Sequence, residues 1–348
     1  MKKLIILLSS LFVFQACQEQ TSQPKAIEKS TAGELNIYSH RFYDADKQLI
    51  QQFENQTGIK VNVKKDKADK LIALLEAEGK TTDADLLITV DAGRLGFAKS
   101  LHLLQPFESS FIEKTVPKHL KDSENFWVAL TQRARVIAYD TALVDPSELS
   151  TYEDLTSEKW KGEINVRSSQ NLYNQSLLAS VIAHQGEEKA LGWAKGIVAN
   201  MARAPKGNDR DQVKQVALGE GKLAIINTYY LGKLLNSPNQ MEVEAANRVA
   251  LFFPNQNTTG THINVSGVGI TAHAPNKANA LKFIEFLLSE KAQSVYAESN
   301  YEYPVNPKVK PSALLQSWGE FKADTLDLSK LSEHNAQAVS VFEKAAWN

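Results

Sequence analysis

Four tyrosines stand where their side chains could act together: Tyr43, Tyr173 and the adjacent pair Tyr229-Tyr230. Each follows a short apolar run that reads as a β-strand. In an open parallel sheet, the loops after the strands line a crevice at the strands' carboxyl ends. One tyrosine at a loop edge is ordinarily an amphipathic side chain with a packed ring and a wet hydroxyl. Four at equivalent positions point to a shared task.

The chemistry available to them is that of the phenolate, a hard anionic oxygen donor whose free pKa is near 10, so that something must favour ionisation at neutral pH. A trivalent cation does this directly. Ferric iron is the biologically common ion of that kind, and it prefers oxygen anions to the sulfur and imidazole ligands that select softer metals. Four phenolates around Fe³⁺ carry a net charge of −1, which calls for a nearby cation. Arg41, Arg133 and Lys233 are the candidates; Lys233 shares a face with Tyr229 and Tyr230 if a helix begins at the pair.

Other chemistries have less support. The chain contains no nucleophile elbow, phosphate-binding Gly-Lys-Ser/Thr loop or metalloprotease helix, and no two of its seven histidines are three or four residues apart. Gly267-Val268-Gly269-Ile270-Thr271-Ala272 fits a dinucleotide pattern, but Pro275 follows where a helix should open, so it reads as a glycine-containing strand. An organic solute or oxyanion held by the tyrosines is the nearest alternative. An exported enzyme using Arg133 and Arg135 on an anionic substrate is the alternative from another class.

The elements that must position these residues alternate. Residues 35–38, 59–63 and 85–90 read as strands, with helices over 44–55 and 67–78 between them. That order implies a mostly parallel sheet with helices on both faces. One apolar stretch at 126–139, interrupted by Arg133 and Arg135, reads as the crossover into a second lobe. Beyond it, Ser150 and Glu153 form a candidate capping box opening a helix. Strands are expected at 163–166, 223–226, 249–253 and 263–271, and helices at 174–184, 187–199, 209–218 and 277–298.

Composition agrees with a two-lobed globular protein: 348 residues, 43% hydrophobic, 23% charged. A formal net charge of −1 gives no reason to expect a nucleic-acid partner. Lys2-Lys3 and the apolar run 4–14 read as an export signal, its core too short for a spanning helix of about 20 residues. The run ends at Ala16-Cys17, and Cys17 is the only cysteine, an arrangement similar to a bacterial lipobox in which that cysteine is lipidated. Residues 1–16 are thus expected to be a signal peptide. Residues 17–33 are expected to be a lipidated flexible tether, rich in Gln, Ser, Thr and Lys. No disulfide is available within one chain.

Several stretches resemble the periplasmic iron-binding proteins of bacterial ABC uptake systems, especially the cyanobacterial-type ferric iron binders. They are residues 38–44, 84–94, Arg133-Ala134-Arg135-Val136, Trp160-Lys161-Gly162, 167–177, Gly207-Asn208-Asp209, 227–232, 252–255, 260–267 and 301–305, in the expected order. The resemblance implies a bilobal periplasmic-binding-protein fold, two α/β lobes joined by crossing hinge strands. The first lobe would comprise 34–131 plus about 248–300, the second 132–247 plus about 301–348. It further implies a non-catalytic monomer that captures iron, Fe³⁺ ahead of Fe²⁺, and delivers it to an inner-membrane permease. The ligands would be Tyr43, Tyr173, Tyr229 and Tyr230, with Arg133 as a nearby cation. Two departures stand out: Phe42 replaces the histidine usual before the first tyrosine, and Lys233 replaces an arginine common after the pair. His40, two residues before Phe42, would reach the metal only by spanning about 6–7 Å of strand. It is therefore expected outside the coordination sphere, with Phe42 forming an apolar wall.

Overall fold

The computed structural model describes residues 33–348. The expected export signal, Cys17 and nearly all of the tether lie outside the described residues. The first passage of the chain runs β1 (Glu34–Ser39), α1 (Asp44–Thr57), β2 (Lys60–Lys65), α2 (Ala68–Glu78), β3 (Leu86–Thr89), α3 (Ala92–Ser100), β4 (Leu104–Gln105) and α4 (Ser110–Thr115). The causes are local. In α1, four-residue spacing puts Ala45, Leu49 and Phe53 on one buried face, and Gly58 ends the helix with a left-handed φ of 71°. All four residues of β3 are buried, as a strand covered on both faces requires.

β5 (Trp127–Asp140) then crosses the molecule. Beyond it come β6 (Ile164–Asn165), α5 (Leu172–Gln185), α6 (Glu187–Asn200), α7 (Asp209–Ala217), β7 (Leu223–Asn227), α8 (Thr228–Leu235), α9 (Gln240–Asn247) and β8 (Val249–Phe252). β9 (Ile263–Thr271) returns to the first half, followed by α10 (Lys277–Leu287), α11 (Glu290–Asn300) and β10 (Tyr303–Pro304). The chain closes with α12 (Ala313–Ser317), α13 (Ser329–Glu333) and α14 (Asn335–Lys344).

The strand order is β2-β1-β3-β9-β5-β7-β6, with β4 on β9 and both β8 and β10 on β5. The crossing is made by β5, whose residues 127–134 pair with β9 and whose residues 135–140 pair with β7 and β8. Two α/β halves thus share their central strands in a bilobal fold.

Three expectations change. The sheet is mixed rather than mostly parallel: β1 runs parallel to β2 and β3, and β6 to β7, but β9 is antiparallel to β3 and β5. A strand that re-enters the first half from the second arrives in the opposite direction. No helix opens at Ser150, because Glu153 is engaged elsewhere, accepting hydrogen bonds from Gln185 Nε2 and Asn255 Nδ2; two short 3-10 turns fill residues 153–160. The helices α3, α4 and α9 and the terminal α12–α14 were not anticipated. Of these, α13 packs on both α3 and α5, tying the C-terminal segment to elements of both halves.

Gly267 and Gly269 lie in β9 rather than in a phosphate-binding loop. A Cβ at Gly267 would sit 2.7 Å from Leu95 Cδ1 and 2.9 Å from the Val128 carbonyl oxygen. The glycines serve close packing.

Candidate metal centre

Each of the four tyrosines sits at a helix N-terminus. Tyr43 is the N-cap of α1, fixed by its N–H, which donates to Asp46 Oδ2 at 2.8 Å. Tyr173 is the second residue of α5, whose cap Asn171 accepts from Asn174 N at 3.3 Å. Tyr229 and Tyr230 are the second and third residues of α8, which continues from β7 without a loop. The unpaired N–H groups and aligned peptide dipoles of such termini favour negative charge.

The structure brings all four rings together. The Tyr173 and Tyr229 hydroxyls lie 3.2 Å apart. The Tyr229 ring centroid is 6.3 Å from that of Tyr43 and 4.2 Å from that of Tyr230. Tyr173 and Tyr229 are buried, at 7% and 1% exposure, and Tyr43 and Tyr230 are half-buried. Burial pushes Tyr43, Tyr229 and Tyr230 well above the ordinary phenol pKa, and mutual repulsion of the oxygens adds to it; a hydrogen bond with Tyr229 partly offsets this for Tyr43 and Tyr230. These three groups are therefore neutral phenols at pH 7.

The cations around them are balanced unequally. Arg41 lies 4.8 Å from the Tyr43 ring centre and is paired twice, with Asp46 at 2.7 Å and Glu302 at 2.8 Å. Arg135 and Arg167, near the Tyr173 ring, share the fully buried Asp209 at 3.0 Å each. Arg133 differs. It is 1% exposed, its guanidinium carbon is 5.4 Å from the Tyr173 ring centre, and its Nη2 donates to the Val90 carbonyl. Its Nε and Nη1 have no partner, and no carboxylate pairs with it among the described residues. Lys233, one turn past Tyr229, places Nζ 3.5 Å from the Tyr43 ring centre and 5.3 Å from that of Tyr229. Burial, with Arg41 and Arg210 behind it, lowers its pKa to about 8 against the opposing pull of Glu302 and Asp46.

His40 and Phe42 point to different neighbours. The His40 N–H donates to the Ile88 carbonyl at 2.9 Å, its Nδ1 is buried without a partner, and burial lowers its pKa despite Asp91 and Asp69. Phe42 lies under Lys65 and, with Ile50, Val61 and Val63, lines a cavity of about 440 Å³ beneath α1. Four participants were not singled out from sequence: Asp46, Arg167, Asp209 and Glu302. Asp209 carried a signal, since Asn208 before it caps α7 by accepting from Arg210 N at 2.9 Å. Glu302 carried none, being one acid in a short segment without periodicity.

The arrangement is suited to a small, hard, highly charged cation. Ionising a free phenol at pH 7 costs about 4 kcal/mol, and burial raises the cost for Tyr43, Tyr229 and Tyr230. Only a ligand that interacts strongly with oxygen anions can offset that four times over. Among the described residues, no group of three or more His, Cys, Asp or Glu offers another metal site.

Known proteins give the arrangement a context. Residues 48–323 match the family of bacterial extracellular solute-binding proteins. Iron uptake protein A1 of Synechocystis is 46% identical over 335 residues, covering 96% of this chain and 93% of its own. The major ferric iron-binding protein of Neisseria meningitidis is 27% identical, covering 90% and 92%. Among solved structures, a Trichodesmium protein (IdiA, FutA) in complex with iron and citrate superposes with a TM-score of 0.88 at 46% identity, over 91% of this chain and all of that one. The ferric binding protein from Campylobacter jejuni gives 0.87 at 45% identity, over 90% and 100%. The chain belongs to the bacterial extracellular solute-binding proteins.

Proposed function

We propose that this protein captures iron as Fe³⁺ between its two halves, through the phenolates of Tyr43, Tyr173, Tyr229 and Tyr230, and hands it to an inner-membrane ABC permease. The observation that carries the reading is the convergence of four phenols from three helix N-termini beside Arg133, a buried cation with no carboxylate partner among the described residues. A metal-loaded cluster of charge −1 is what such a lone cation offsets. The relatives named above are uptake and binding proteins, not enzymes, which supports transport over turnover.

The halves are assigned as 34–131 with about 248–300, apart from β8, which pairs with the far end of β5 beside β7, and 132–247 with about 301–348. Tyr43 then comes from one half and the other three phenols from its partner, so an ion that contacts both favours the closed form by its differential affinity. Fe²⁺ would leave the cluster at −2 and is the weaker cargo. Export as a monomeric lipoprotein anchored at Cys17 completes the proposal.

The test is the purified mature chain given ferric iron. A phenolate-bound ferric ion absorbs visible light by ligand-to-metal charge transfer, and metal analysis should find one iron per chain. A colourless protein, or one that binds an organic solute or oxyanion in place of iron, would sink the reading.

A further inference from the structure

Glu302 is 1% exposed and stands between the elements that carry the tyrosines. Its Oε2 accepts from Arg41 Nη1 at 2.8 Å and from the Asn300 side chain. Arg41 in turn lies between two rings, 4.8 Å from the centre of Tyr43 and 4.7 Å from that of Tyr296, with further bonds from Nη1 to Ser266 Oγ at 2.8 Å and Thr131 Oγ1 at 3.3 Å. The neighbouring residues reach the opposite side. Tyr301, in the left-handed conformation with φ 56°, lies against Gly232 of α8, so closely that a Cβ there would be 2.7 Å from the Tyr301 Cβ. Tyr303 and Pro304 pair with Gln132 and Thr131, next to Arg133.

We infer that Glu302 is a positioning residue for the Tyr43 phenol, acting through Arg41 and holding the loop of Tyr43 in register with the helix of Tyr229 and Tyr230. The inference rests on the iron-binding reading above. The physical logic is one of preorganisation. The Tyr43 ring leans on a guanidinium, and a guanidinium is placed by the fork of acceptors it donates to. Asp46 supplies one acceptor from the same helix as Tyr43 and moves with it. Glu302 supplies the acceptor from outside that helix. Arg41 and Arg133 hold the Glu302 carboxyl below the usual range against the effect of its burial, so the ion pair persists across neutral pH.

Two conservative variants separate position from charge. Glu302→Asp keeps the charge but draws the acceptor back by one methylene, whereas Glu302→Gln keeps an acceptor in place and removes the charge. Ferric affinity is measured by competition with citrate, alongside the visible spectrum and a thermal melt. Glu302→Gln is expected to stay within about fivefold of the parent, and Glu302→Asp to lose about ten- to a hundredfold. Combined with Tyr43→Phe, the Glu302→Asp loss should vanish; combined with Tyr173→Phe it should persist. Glu302→Gln losing more than Glu302→Asp, or a Glu302→Asp loss unchanged in the Tyr43→Phe background, would overturn the inference. A parent protein that takes up no ferric colour would instead overturn the iron reading beneath it.

Discussion

Tyr229→Phe removes one oxygen from the centre of the tyrosine cluster while leaving the ring that fills the space. At 1% exposure the ring's packing against Tyr43 and Tyr230 is retained, so the fold should persist. In the metal-free protein the loss is the 3.2 Å hydrogen bond with Tyr173 and the support given to the other two hydroxyls, worth about 1–2 kcal/mol. The effect on iron is larger. Loss of a supporting group around a metal ligand costs about 10–100-fold in affinity, so deletion of a ligand should exceed a hundredfold. A third consequence is specific to this site. Because Tyr229 is held protonated in the metal-free protein, each iron bound must release its proton, and the variant should release one proton fewer per iron. The assay is ferric affinity at several pH values against a chelator of known proton stoichiometry. The slope of log affinity against pH should fall by one unit in the variant. An unchanged slope together with unchanged colour would refute the assignment of Tyr229 as a ligand.

Arg133→Ala should raise the pH at which iron loads, since removing the unpaired cation makes every phenolate harder to form; pH titrations of the visible band check the direction. His40→Ala should leave the visible spectrum and ferric affinity nearly unchanged, and a large loss with intact secondary structure would place His40 on the metal. Lys233→Met should stabilise the metal-free protein below about pH 8, because a folded-state pKa depressed from 10.5 means that the buried charge costs most where lysine is protonated in both states. That gain should fade as pH rises from 8 towards 10.5, which urea denaturation at a series of pH values would follow. Gly267→Ala should destabilise the fold by about 1–3 kcal/mol in thermal unfolding, its methyl group confronting Leu95 and the Val128 carbonyl.

Much of the fold could be read where one physical signal dominated. Leu49 and Phe53 on α1, or the run Leu86–Thr89, declare period and burial in a few residues. Strand direction was not legible, because β9 returns from the second half and apolar patterning carries no sense of direction. The helix expected at Ser150 failed for a related reason: Glu153 has the right spacing for a cap, but Asn255 and Gln185, about a hundred and about thirty residues away, claim its carboxylate. At the site, tyrosines after strands were visible as a set. The charge ledger around them was not: Arg41 and Arg133 look alike in sequence, but Asp46 and Glu302 both pair with Arg41, and Arg133 has no carboxylate partner among the described residues.

The return of β9 also bears on how the chain reaches its working compartment. β3 pairs through Leu86, Leu87, Ile88 and Thr89 with Ile270, Gly269, Val268 and Gly267, and β5 pairs with the same strand. The first half therefore lacks its central partner until residue 271 has been synthesised, and a fragment ending near residue 131 would carry two open strand edges rather than a finished domain. Contacts so distant in sequence form late, after a costly loop closure. For a chain exported as proposed above, this keeps the first half free of a finished fold until late in synthesis. Moving β9 ahead of β5 by circular permutation should speed folding and slow export of the same sequence.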